Sequence, residues 1–105
     1  MPSSAKPFVS ISIITPKPEQ FEAFMALQLA QLRSLRGQVQ GLQGTRLFQS
    51  DDSRSVVLVS VFETAEDAQR FRQDPRLTEH LARAQPLIER ATPGVYETVY
   101  EVGAI

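Results

Sequence analysis

The sequence holds a single histidine, His80, within the stretch FRQDPRLTEHLARAQP (residues 71–86). A histidine side chain, with an ordinary pKa of about 6.5, takes up and releases protons near neutrality, and its neutral ring can ligate a metal. The structural alternative for His80 is a residue at the edge of a helical apolar stripe, hydrogen-bonded nearby. There is no cysteine, which removes disulfides, thiolate nucleophiles and cysteine metal ligands. Ser10, Ser12 and Ser60 lack the G-x-S-x-G context of a nucleophile elbow, and no acid stands in an evident triad relation to His80. Neither a metal-ligand spacing nor a glycine-rich phosphate loop is present. Tyr96 and Tyr100 can hydrogen-bond a phenol or quinone oxygen, or serve as aromatic strand residues at a sheet surface. Arg46 can hold an anionic substrate or pair with an acid on a neighbouring strand.

The elements that must position these residues follow from periodicity. Residues 8–14, FVSISII, alternate as a strand. Pro18 opens a helix, and Phe21, Phe24, Met25, Gln28, Leu29, Leu32 and Leu35 repeat at the helical period until Gly37 and Gly41 end it. GLQGTRLFQ reads as a second strand, SDDS as a turn and RSVVLVSVFE as a third strand, the short turn implying an antiparallel hairpin. Thr64 caps a helix over AEDAQRFRQ, and Asp74-Pro75 caps another whose stripe is Leu77, His80 or Leu81, Ala84 and Ile88, with Pro86 kinking or ending it. TPG (residues 92–94) then reads as a turn into a last strand, VYETVYEV.

This order is β-α-β-β-α-β with a split second helical region, the ferredoxin-like α+β plan: one antiparallel sheet with both helical connections on one face. The 105 residues make one domain, 1–105, with its core over 8–102. On the third strand both faces are apolar, Val57, Val59 and Val61 against Val56, Leu58 and Phe62, yet helices cover only one side. A second sheet packed face to face by a two-fold axis solves this, so the expectation is a homodimer; the alternative is a monomer whose loops cover the second face. Ser10, Ser12 and Ser60 suggest a cavity that is partly polar.

Composition narrows the partners. With 11 basic and 12 acidic residues, evenly distributed, the chain has no basic excess for nucleic acid or an acidic membrane. The amino-terminal apolar run is too short and too mixed to span a bilayer or to read as a leader, and Pro2 excludes the usual myristoylation start. The expectation is a cytoplasmic protein that binds a small molecule and neither nucleic acid nor membrane.

VLVSVFETAEDAQRFRQDPRLTEHLARAQPLI, with the element order and length, resembles the antibiotic biosynthesis monooxygenase family, over residues 8–102. The resemblance implies dimeric α+β barrels, and among their activities cofactor-free oxygenation of phenols, quinol oxygenation and haem degradation. Phe62 stands where family members often carry Trp, Phe71 where the haem-degrading branch carries a second Trp, and Ser12 or Ile11 where that branch carries Asn; His80 matches that branch's haem ligand or lies one residue away. The chain has no Trp and no Asn, so the expectation is no cofactor and no metal. The leading expectation is a monooxygenase that uses O2 on a small phenol or quinol, with His80 as base and Ser12, Arg46, Ser60, Phe62, Phe71 and Tyr96 lining the pocket. The alternatives are a non-catalytic dimeric barrel binding an apolar ligand, or a haem-binding member.

Overall fold

The computed structural model describes residues 7–103, so the amino-terminal reading of residues 1–6 lies outside the described residues. β1 (Phe8–Pro16) leads through a single 3-10 turn, Pro18–Gln20, into α1 (Phe21–Leu35). β2 (Leu42–Gln49) and β3 (Val56–Phe62) form the hairpin, followed by α2 (Ala65–Arg72), α3 (Pro75–Ala84), a 3-10 turn at Gln85–Leu87 and β4 (Ile88–Tyr96). All four strands make one antiparallel sheet in the order β2-β3-β1-β4, the ferredoxin-like arrangement that the periodicity predicts.

Local chemistry accounts for the helix ends. Gly37, at φ 73°, supplies the left-handed step after α1. Thr64 Oγ1 accepts the Asp67 N–H at 3.1 Å to start α2, and Asp74 accepts the Arg76 N–H at 2.8 Å to start α3, with Pro75 in the first turn. Arg76 draws the pKa of Asp74 down to about 2, chiefly through its side-chain hydrogen bond. Pro86 falls in the 3-10 turn that ends the second helical region.

Strand register assigns the faces. Ile14 pairs with Val56 and Ala91, and Ser12 with Leu58 and Pro93, so even-numbered β1 residues share a face with even-numbered β3 residues. On that face Ile14 and Val56 pack with Phe24 of α1 and Ala84 of α3, and Leu47, Leu87 and Ile88 close around them. Phe24 and Val56 are fully buried, each contributing about 1.5–3 kcal/mol relative to exposure. The opposite face, Val9, Ile11, Ile13, Phe48, Val57, Val59 and Val61, is covered by no helix among the described residues, and Ile13 and Phe48 stay 45% and 46% exposed.

The last strand differs from expectation. Thr92, Pro93 and Gly94 are not a turn but the middle of β4, paired with Ile13, Ser12 and Ile11. Ile88 belongs to β4 rather than to the helical stripe. Proline fits there because β4 is an edge strand, where the missing N–H faces away from the sheet. Tyr96 pairs with Val9, one residue from the start of β1, so residues 97–103 have no strand of this chain to continue against and form none.

Candidate active site

A cleft of about 1170 Å³ opens between the helical face of the sheet and α1, α2 and α3. Its walls are mostly apolar: Leu29, Leu32 and Leu35 from α1, Phe71 from α2, Leu77 and Leu81 from α3, and Phe8, Leu58 and Phe62 from the sheet. The Phe62 and Phe71 rings lie 6.0 Å apart between centroids, tilted by 39°, an aromatic contact that fixes α2 against the end of β3.

The floor carries a row of hydroxyls. Thr45 pairs with Ser60 and Ser60 with Ser10, so three hydroxyl residues stand side by side across β2, β3 and β1, with Ser12 one pleat further along. All four line the cleft. Among the described residues none of these hydroxyls has a hydrogen-bond partner, and none is sealed from solvent. They are therefore available to a bound molecule.

His80 sits in the wall formed by α1 and α3. It is 6% exposed, and its Nε2 lies 3.0 Å from Oε1 of Gln28, itself 4% exposed. Gln28 follows Phe24 by one turn on the buried face of α1, and His80 precedes Ala84 by one turn on α3, so the same packing that seals the core brings the two polar groups together. With Gln28 Oε1 as acceptor, Nε2 carries the proton and Nδ1 keeps its lone pair. Among the described residues nothing hydrogen-bonds to Nδ1. Burial first, and then the nearby positive charge of Arg83, lower the His80 pKa below its ordinary value. The ring is thus neutral at pH 7, in the form that accepts a proton.

Of the residues singled out from sequence, Ser12, Ser60, Phe62, Phe71 and His80 all line this one cleft. Arg46 and Tyr96 do not. Arg46 pairs with Val59 and Tyr96 with Val9, which places both on the uncovered face of the sheet. The Tyr96 ring lies over Gly94, where a Cβ would stand 2.9 Å from it. Arg46 faces no acid across the strand and has no ion pair among the described residues. Tyr100 lies beyond β4 and is 82% exposed. Gln28 and Thr45 are among the cleft residues to which the sequence reading gives no site role. Gln28 left one signal, a polar side chain at a buried position of an otherwise apolar stripe.

An open four-stranded antiparallel sheet, helical crossovers on one side and a histidine cleft between the layers define a ferredoxin-like α+β protein with a ligand-sized cleft. The family model "Antibiotic biosynthesis monooxygenase" matches residues 7–84, and the chain belongs to that family. Solved structures agree in fold. A Mycobacterium tuberculosis protein superposes with a TM-score of 0.81 at 22% identity, covering 92% of this chain and 99% of its own. A Pseudomonas aeruginosa protein gives 0.82 at 16%, covering 94% and 100%. SnoaB, a cofactor-independent oxygenase from Streptomyces nogalater, gives 0.75 at 17%, covering 95% and 100%. No curated protein matches the sequence significantly. Among the described residues no helix is long and apolar enough to cross a membrane.

Proposed function

We propose that this chain is a cofactor-independent monooxygenase acting on a small phenol or quinol with O2. The observation that carries the reading is the neutral His80, oriented by Gln28 through Nε2 and leaving Nδ1 unengaged at the wall of an apolar cleft. Nδ1 takes the proton of the substrate hydroxyl, and the resulting electron-rich anion reacts with O2. Where the ring carries a CH2 group, that carbon becomes C=O, and the second oxygen atom leaves as water with both hydrogens, so no external reductant is needed. The chain's part is to exclude water, to hold the anion with the Ser10, Ser12, Thr45 and Ser60 hydroxyls, and to move one proton at Nδ1. The SnoaB description supports the reaction class.

In the same reading a second copy covers the Val9–Ile11–Ile13 and Val57–Val59–Val61 face, giving a homodimer whose cleft binds a small molecule, working in the cytoplasm. Light scattering at micromolar concentration gives twice the chain mass of 11.7 kDa; the single-chain mass rejects the dimer. In this reading the chain takes no haem, because it has neither the Trp nor the Asn that the haem-degrading branch carries. A haemin titration without a His80-dependent Soret shift is the expected result.

Oxygen uptake across a panel of phenols and quinols tests the activity, with His80→Ala losing roughly 10²–10⁴-fold. Saturable binding with no uptake by the wild type refutes the oxygenase and establishes the second reading, a non-catalytic binding barrel. The absence of Trp and Asn is what favours that second reading.

A further inference from the structure

The charged groups of the cleft have one sign. They are Arg33 on the last turn of α1, Arg36 at its cap, Arg72 at the end of α2, and the titratable His80; among the described residues no carboxylate lines the cleft. The chain as a whole has slightly more acidic than basic residues, 12 against 11, so this segregation is local. Among the described residues none of the three arginines has an ion pair; Asp67 and Asp74 pair with Arg70 and Arg76 instead. The Arg72 guanidinium carbon lies 6.0 Å over the Phe8 ring, a cation–π contact that holds this side chain at the mouth. Arg33 and Arg36 follow Gln28 by five and eight residues, which places them about 7–12 Å along the helix axis from the His80 contact.

We propose that the ligand is an apolar acid. Its carboxylate is held at the mouth by Arg33, Arg36 and Arg72, while its ring system lies on Leu32, Phe62 and Phe71 and presents its hydroxyl to the serine row and His80. Guanidinium groups suit a carboxylate because their paired N–H donors match its two oxygens. The separation between arginines and histidine requires an extended fused-ring or chain-linked body between the acid and the reacting hydroxyl. The proposal rests on the reading of this cleft as the site of function, and it names the class of molecule that enters.

The probes are 2-naphthoate and its methyl ester, which share one ring system and differ in charge. The chain has no tryptophan and two tyrosines, so naphthalene fluorescence reports binding with little background. The acid binds the wild type roughly tenfold more tightly than the ester at low salt, and the preference shrinks in 1 M salt. R33Q/R36Q/R72Q, at exposed positions, keeps the circular dichroism and the ester affinity of the wild type and loses the preference. His80→Ala retains it. Equal affinities, no binding of either probe, or a preference that survives in the triple variant overturns the proposal. Acid preference without oxygen uptake on any phenol supports it and removes the oxygenase; turnover of neutral quinols without acid preference does the reverse.

Discussion

Replacing Gln28 by leucine isolates the contact on which the site depends. The two side chains lie 3.0 Å apart with 4% and 6% exposure, so water cannot substitute for a lost partner. Leucine nearly fills the glutamine volume, and the cost is therefore mainly the orphaned Nε2–H of His80, about 1–3 kcal/mol. His80→Leu orphans the Gln28 amide and costs a similar amount. The double variant removes both polar groups at once, and such paired apolar replacement can be nearly neutral. The expected coupling is about 1–3 kcal/mol, against additivity within roughly 0.5 kcal/mol for independent sites. Urea unfolding at fixed protomer concentration measures it. With a slope of about 1–3 kcal/mol/M, each single variant moves the midpoint by roughly 1 M. An independent arm uses the only histidine of the chain as an NMR reporter: Gln28→Glu places a carboxylate at Nε2 and raises the His80 midpoint above that of the wild type. Additive single costs, or a midpoint indifferent to Gln28→Glu, would refute both the contact and the role derived from it.

Other perturbations test the frame. Phe24→Ala leaves a cavity at a fully buried site and costs about 3–5 kcal/mol in urea unfolding. Gly41→Ala meets both a backbone at φ 79° and the Asp67 side chain against its Cβ, whereas Gly37→Ala, at φ 73°, meets open space; both lower the Tm, Gly41→Ala clearly more, the left-handed backbone alone accounting for about 1–2 kcal/mol. Because folding lowers the His80 pKa, the unfolded chain binds more protons just below its own pKa. Stability is therefore full above about pH 6.5 and is lost as pH falls through that value toward the lower folded pKa. His80→Gln removes this part of the pH dependence, and thermal melts between pH 5 and 8 read the difference.

The helix caps were legible because their chemistry is local: Thr64 and Asp74 capture N–H groups two or three residues away. The last strand was not, since Thr92-Pro93-Gly94 has turn chemistry and only its place at the sheet edge, a tertiary fact, makes it strand. The site divides in the same way. His80, Ser12 and Ser60 were visible as residue types, but Gln28 lies 52 residues from its histidine, and alternation alone could not say which parity of each strand faces the helices. Arg46 and Thr45 are neighbours in sequence and sit on opposite faces. The family resemblance located the scaffold correctly because element order and the Asp74-Pro75 cap are set by local chemistry that the sequence displays.

Pro93 has a consequence beyond the shape of β4. The sheet ends on two open edges, β2 and β4, and an open edge recruits stray strands. At Pro93 the outer rim of β4 offers no hydrogen-bond donor, so a foreign strand docking there loses a rung at mid-length. A proline that sequence alone marks as a turn thus guards the β4 edge of the sheet against edge-to-edge pairing.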